Sequence, residues 1–223
     1  MYIEYKRARF IRNEGRRFKC WIEIDGKEEL CYVASSSKLN HYLDIEDKEI
    51  LVIENKSSQR KLKYRLFAVR ANEEWIVLDL LLLNHIVKEK LENEGYIVES
   101  EKFIEDYRAD LLIRTETEVL VCEIKSVLCL EESAVFPMNA GKRCAEQLEK
   151  IKDIITFNKY KVLYVFVLLT QNVKRIEINQ AEKNYKELFS ECLENGMKTI
   201  CCRLSIMNNE VIVHIDNSVI VTI

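Results

Sequence analysis

Three residues in the second half of the sequence have the types and spacing of a metal-dependent phosphodiesterase site: Asp110, Glu123 and Lys125. Glu123 and Lys125 are two residues apart, so their side chains share one face if the segment is a β-strand. Two carboxylates close together repel each other unless a cation neutralises them, and oxygen ligands suit Mg²⁺ or Mn²⁺. A lysine beside that cation can position water or stabilise charge on phosphoryl oxygens. The chemistry that this set predicts is phosphodiester hydrolysis, with all three residues as catalytic candidates.

The alternative is an ordinary solvated strand, because a Glu-x-Lys pair alone is a weak signal. The flanking residues strengthen the first interpretation. The run VLVCEIK at 119–125 is apolar enough to enclose Glu123 partly, and a buried charge needs a partner. Asp110 lies on the preceding predicted strand, where a tight turn would bring its carboxylate towards that of Glu123. From the residues alone, both interpretations stay open.

The elements that must position these residues follow from hydrophobic periodicity. Residues 108–114 and 119–125 are predicted strands joined by a connection of hairpin length. The apolar run at 161–169 is typical of a buried central strand. The same pattern predicts helices and one further strand at 78–95, 139–157, 180–195 and 199–204. We predict a mixed sheet flanked by helices over residues 73–223.

Residues 1–72 are predicted to form a separate domain of short strands. Apolar and β-branched runs bounded by turn residues lie at 18–24, 30–33, 50–54 and 63–69. Short strands at such close spacing favour a small barrel or sandwich. The fold class predicted for the whole chain is therefore α+β.

Positive charge is concentrated in this first part of the sequence. Residues 1–70 contain 16 lysines and arginines and 11 acidic residues, a balance of +5, whereas the rest contains 18 and 26, a balance of −8. Phe10, Phe18 and Trp21 are interleaved with the cations, a pattern used to hold a phosphate backbone and stack bases. The alternative is a strand protected by charge. The predicted nucleic-acid contacts here are Arg9, Arg12, Arg16, Arg17, Lys19, Lys61, Lys63 and Arg65.

Composition excludes several other classes of protein. Hydrophobic residues make up 48% and charged residues 32%, the balance of a soluble globular protein. No apolar run reaches the roughly 18 residues that a membrane span needs. The first residues lack the apolar stretch of a secretory signal, so we expect a cytoplasmic protein. The eight cysteines form no CxxC pair, which argues against a zinc site.

The sequence around the candidate site resembles the sugar fermentation stimulation protein (SfsA) family. The resemblance rests on YRADLL at 107–112, CEIKSV at 122–127 and the Phe136-Pro137 pair, and it extends to Arg143 and Leu148. It implies an OB-like N-terminal barrel joined to a PD-(D/E)xK nuclease-like domain, with DNA as the partner. The chain departs from the family where residues 32–37 lack its His-Cys-Pro-Asn motif.

The resemblance also implies roles for individual residues. Asp110, Glu123 and Lys125 match the family's acidic pair and lysine, and Glu101 falls near an upstream acidic position. The implied metal ligands are therefore Asp110, Glu123 and Glu101. Arg143 and Gln147 are the implied nucleic-acid contacts of this domain, although Gln147 stands where the family has histidine.

These observations predict a DNA-binding protein with a Mg²⁺ or Mn²⁺ site able to hydrolyse phosphodiesters. One alternative is a non-catalytic DNA-binding regulator of sugar-utilisation genes, in which the carboxylates have lost their role. Another is a protein-interaction scaffold, which the clustered cations disfavour.

Overall fold

The computed structural model of the protein describes residues 1–15, 18–34, 43–55, 62–71, 73–138, 142–158 and 160–223. The chain divides into two compact units. The first contains residues 1–86 and 204–212, and the second contains residues 87–203 and 213–223. Residues 204–212 therefore belong to the first unit, whereas the predicted boundary at residue 72 placed them in the second domain.

The first unit is built on a closed barrel. Its strands are β1 (Lys6–Asn13), β2 (Lys19–Ile24), β3 (Lys27–Val33), β4 (Glu49–Glu54), β5 (Tyr64–Ala71) and β6 (Glu74–Val77). They hydrogen-bond in the order β3-β2-β1-β4-β5-β6, and β3 also pairs with β5 in parallel. That last pairing closes β1 to β5 into a barrel, which confirms the barrel expected here.

Strand β1 was not predicted from the sequence. It lies between β2 and β4, and its inward residues are Ala8 and Phe10. Cations occupy most of the other positions, so the alternation of the strand is hidden. Phe10 is fully buried, which makes it a core residue and removes it from the set that could stack on bases.

The prediction that Arg65 contacts phosphate is corrected by its burial. Its side chain is only 10% exposed, and its Nε atom lies 2.5 Å from Oδ2 of Asp79, which is fully buried. A buried carboxylate requires a compensating charge. Arg65 therefore belongs to the interior of the first unit. The sequence showed a cluster of cations here but not the carboxylate fourteen residues further on.

The chain after the barrel contains a mixed sheet, as predicted. The strands after helix α1 (Leu80–Asn93) are β7 (Ile97–Ile104), β8 (Tyr107–Arg114), β9 (Val119–Val127), β10 (Ser133–Phe136), β11 (Lys161–Leu168), β12 (Arg175–Ile178), β13 (Lys198–Met207), β14 (Glu210–Ile215) and β15 (Ile220–Thr222). One sheet has the order β14-β13-β11-β9-β8-β7. Strand β11 is parallel to β9 and β13, whereas β7, β8 and β9 are antiparallel. Strands β10, β12 and β15 form a small parallel sheet.

The three predicted helices are present with shorter bounds. They are α1, α2 (Lys142–Asn158) and α3 (Lys183–Glu194). Helix α1 stops before Gly95, whose φ of +93° is a conformation that glycine adopts without a side-chain clash. In the part of the chain that the structure describes, none of the helices is long and apolar enough to span a membrane.

Aromatic packing holds α3 and β11 together in the second unit. Tyr164 and Phe189 meet edge to face at 5.4 Å between ring centroids, and Tyr185 stacks with Phe189 at 6.1 Å. The Tyr164 and Tyr185 hydroxyls are 2.9 Å apart, so these buried polar groups satisfy each other.

Arg203 connects several loops of the second unit. Its Nε donates to Oδ2 of Asp216 at 2.5 Å, and its Nη1 donates to the main-chain oxygens of Thr170 and Gln171 at 3.0 and 2.9 Å. Hydrogen bonds from Ser218 and then from Arg203 lower the pKa of Asp216 to about 2.

This lowered pKa predicts a pH-dependent contribution to stability. Asp216 stabilises the fold in its ionised form, so its contribution is complete above the unfolded pKa of about 3.9 and is lost as the pH falls through about 2. The stability difference between wild type and Asp216→Asn should therefore fall by about half between pH 6 and pH 3. Urea unfolding at both pH values measures it. The exposed Glu149→Gln is the control, and an unchanged difference for Asp216→Asn would contradict the interpretation.

Candidate functional site

Strand β9 places Glu123 and Lys125 on one face, as their spacing predicted. Tyr164 and Phe166 of β11 stand opposite them in the parallel register. Because these neighbours are large and buried, the Glu123 side chain is only 2% exposed, whereas that of Lys125 is 21% exposed. Cys122 points to the other face and is a buried core residue. The expectation that the apolar flanks enclose Glu123 is confirmed.

Both oxygens of the Glu123 carboxylate have a polar partner. Lys125 Nζ lies 2.5 Å from Oε1, and the Tyr107 hydroxyl donates to Oε2. Lys125 Nζ also donates to Oε1 of Gln147 at 3.0 Å. The ammonium group therefore lies between a charged acceptor and a neutral one, and it compensates the buried negative charge.

The same environment raises the pKa of its neighbours. Burial, followed by the negative charge of Glu123, raises the pKa of Tyr107, so its hydroxyl stays protonated and remains a donor. Burial and the charges of Asp110 and Glu123 raise the pKa of the Cys122 thiol. Cys122 is thus a buried, protonated thiol with little nucleophilic character.

Asp110 is positioned by a break in the sheet. The paired residues of β8 and β9 run from Arg114 with Val119 to Leu111 with Cys122. Beyond that point the Ile124 N–H donates to Oδ2 of Asp110 at 2.8 Å. A carboxylate thus takes the place of a main-chain acceptor, which holds Asp110 beside the β9 segment that carries Glu123 and Lys125.

A cleft of about 370 Å³ opens beside this point in the second unit. It is lined by residues of β7, β8 and α2 together with the turn between the first two: Glu101, Asp106, Tyr107, Arg108, Ala109, Asp110, Arg143, Glu146, Gln147 and Lys150. Four of the predicted site residues therefore share one cleft, namely Glu101, Asp110, Arg143 and Gln147.

The set of three carboxylates is not assembled as expected. Within the described ranges, no group of three or more His, Cys, Asp or Glu side chains is placed to hold a metal ion. Glu101 lies 2.5 Å from Arg108 and has a φ of +54°. Its charge is therefore already balanced, and of the three predicted ligands Asp110 and Glu123 remain.

The cations that line the cleft differ in their partners. Lys150 Nζ lies 2.8 Å from Asp106 Oδ2, and Arg108 pairs with Glu101. Arg143 is exposed near the start of α2 and has no hydrogen bond or ion pair with any residue that the structure describes. Unlike Arg108 and Lys150, Arg143 can therefore bind an anion without first breaking an ion pair with a described residue.

The predicted cations of the first unit are largely paired. Arg9 lies 2.5 Å from both Glu23 and Asp47, and Arg12 lies 3.4 Å from Glu28 while covering the Trp21 ring. Lys63 is exposed, 3.8 Å from Glu54. Lys19 is exposed with no pairing to the described residues. Arg16, Arg17 and Lys61 lie outside the described residues.

Tyr107 was missed as part of the site by the sequence analysis. The available signal was the prediction that Glu123 is enclosed, because a buried carboxylate needs donors besides one lysine. Which residue donates depends on the direction of the side chains beyond the last β8–β9 pair. The alternation of a regular strand does not predict that direction.

Two family models match the chain. The one described as the sugar fermentation stimulation protein RE domain matches residues 77–210, and the one described as the SfsA N-terminal OB domain matches residues 15–78. Together they cover residues 15–210, which include the site and the barrel strands from β2 onwards.

Curated relatives and a solved structure agree with these matches. A sugar fermentation stimulation protein homologue of Clostridium beijerinckii is 25% identical over 207 residues, covering 89% of this chain and 90% of the relative. A homologue from Clostridium acetobutylicum is 25% identical over 214 residues, covering 90% of each. The structure of Pyrococcus furiosus SfsA in complex with Ca²⁺ superposes with a TM-score of 0.81 at 20% identity, covering 100% and 98% of the two chains. It supports the same fold.

The buried pair of Glu123 and Lys125 yields a stability prediction. In EDTA, Lys125→Met should destabilise the protein by about 3 kcal/mol, because a buried carboxylate then loses its opposite charge. Lys161→Met is the matched control, since Lys161 pairs with Glu118 at an exposed position of the same sheet and should lose less than about 1 kcal/mol. Urea unfolding followed by circular dichroism gives both values. Equal losses would mean that the Glu123 charge is compensated in another way.

Proposed function

Because the chain belongs to the SfsA family, we propose that it binds DNA and that Asp110 and Glu123 bind a divalent cation beside Lys125. Two contacts support the proposal: Lys125 pairs with the buried Glu123 carboxylate, and Asp110 accepts the N–H of Ile124, the residue between them in β9. A cytoplasmic location stays a prediction.

The donor set fits Mg²⁺ or Mn²⁺. Mg²⁺ usually keeps several waters and is bound through one or two carboxylates, which matches Asp110 and Glu123 without Glu101. The Pyrococcus furiosus protein of the same fold was solved with Ca²⁺, another hard cation that takes oxygen ligands. When bound, the cation would neutralise charge on a phosphate and polarise the bond to be cleaved.

The residues of the chain supply the remaining functions. Lys125 would stabilise negative charge that develops on phosphoryl oxygens, and Gln147 holds its ammonium group through Oε1. Since Oε1 of Gln147 accepts from Lys125, the amide N–H groups stay as possible donors to a phosphate. Arg143 would bind a neighbouring phosphate at the cleft, because a planar guanidinium suits two phosphate oxygens.

The metal site predicts a specific pattern of cation binding. Glu123→Gln and Asp110→Asn should each weaken Mn²⁺ binding by at least about tenfold, because a single carboxylate is a poor site for this ion. Glu101→Gln should keep the affinity within about threefold, since Glu101 is committed to Arg108. Calorimetric titration measures the affinities. A large loss in Glu101→Gln would restore Glu101 as a third ligand, and no loss in the other two variants would remove the site.

Binding of DNA at the cleft is tested through Arg143. Arg143→Ala should weaken binding to all sequences alike and lower the slope of log affinity against log salt by about 0.9 on duplex DNA or 0.7 on a single strand. Lys183→Ala, an exposed cation of α3 without a pairing among the described residues, should change neither quantity. A salt titration monitored by fluorescence anisotropy measures the slope. Equal slopes for wild type and Arg143→Ala would place the phosphate contacts elsewhere.

A non-catalytic DNA-binding regulator is the second candidate. It is favoured by the occupation of both Glu123 oxygens, which Lys125 and Tyr107 already satisfy. Incubation of DNA with the protein in the presence of Mg²⁺ or Mn²⁺ distinguishes a nuclease from a regulator. Cleavage by the wild type that is lost in Lys125→Ala, with DNA affinity kept within a few-fold, would support the nuclease. Binding without cleavage would support the regulator.

A further inference from the structure

Tyr107 lies between the cleft and the buried carboxylate. It lines the cleft together with Asp110, yet it is 2% exposed, and its hydroxyl donates to Oε2 of Glu123. Within the described part of the chain, Glu123 itself does not line this cleft. Tyr107 is therefore a cleft residue in direct contact with the carboxylate that the proposed cation needs.

The two partners of Glu123 respond differently to a cation. Lys125 holds Oε1 with a positive charge, so a divalent ion that approaches Glu123 repels the ammonium group. Gln147 Oε1, 3.0 Å from Lys125 Nζ, offers the ammonium another acceptor. The Tyr107 hydroxyl is neutral, so the approaching ion does not repel it in the same way. Tyr107 is thus the partner able to keep Glu123 oriented while the ion binds.

We propose that Tyr107 is a positioning residue for divalent-cation binding, because its hydroxyl fixes the orientation of the Glu123 carboxylate while Lys125 moves towards Gln147. The inference rests on the proposed metal site. A hydrogen bond to a ligating group fixes its orientation before binding, and its loss typically weakens metal affinity by about 10- to 100-fold.

The test compares two tyrosines that each lose one buried hydroxyl. Tyr107→Phe removes the donor to Glu123. Tyr185→Phe removes the hydroxyl 2.9 Å from that of Tyr164, and in the described chain neither of these two hydroxyls is hydrogen-bonded to Glu123. Mn²⁺ affinity is measured by calorimetry on the full chain, with circular dichroism and thermal unfolding in EDTA as the check of folding. Phenylalanine keeps the ring and its packing in both variants.

Tyr107→Phe should bind Mn²⁺ about tenfold more weakly than the wild type, and Tyr185→Phe should bind within about twofold of it. A purely structural role would lower the melting temperature of both variants and leave both affinities unchanged, which would overturn the inference while the metal site stands. Equal weakening in both variants would also overturn it, since the effect would then come from general loosening of the core. A wild type that binds no Mn²⁺ would overturn the metal site and the inference together.

Discussion

The second unit depends on one electrostatic constraint, which is that the carboxylate of Glu123 is buried in a sheet of apolar strands. An unpaired charge in that position would cost several kcal/mol. Lys125 supplies the opposite charge from the same strand face, Tyr107 supplies a neutral donor, and Gln147 supports the ammonium group. The polar cluster is therefore an interdependent set, and a change in one member alters the electrostatic environment of the others.

The sheet topology makes this cluster possible. Strand β9 has a parallel neighbour on one side and an antiparallel neighbour on the other. Tyr164 of the parallel neighbour encloses Glu123, whereas the pairing with β8 ends one residue before Glu123. Where the ladder ends, the Asp110 carboxylate accepts the Ile124 N–H. A regular ladder would have used a main-chain carbonyl there and would have left Asp110 without this anchor. The early end of the β8–β9 pairing thus replaces one main-chain hydrogen bond with a bond to Asp110, and this bond holds a second carboxylate beside the site.

The sequence predicted the strands and helices whose hydrophobic residues recur with a clear period. The β8–β9 hairpin, β11 and the three helices lie within a few residues of their predicted bounds, and Glu123 with Lys125 was found through strand alternation. Strand β1 was missed because cations concealed its alternation, and the partner of Arg65 was missed because Asp79 lies in the connection between β6 and α1. Tyr107 was missed for a related reason. Contacts made where a ladder breaks depend on local geometry that no repeating pattern encodes.

The ion pairs also change how the charge of the first seventy residues is understood. A formal balance of +5 suggests a free positive surface, yet Lys6, Arg7 and Arg9 each lie within 2.8 Å of a carboxylate. Such exposed pairs are worth little individually, so a phosphate can replace the carboxylate at small cost. Each replacement, however, frees an acidic side chain that repels the same phosphate backbone. The net gain per cation is therefore smaller than for Arg143, which has no such partner in the described chain. One arginine without an acidic partner in the described chain therefore contributes more to phosphate binding than one of the paired cations, although both carry the same formal charge.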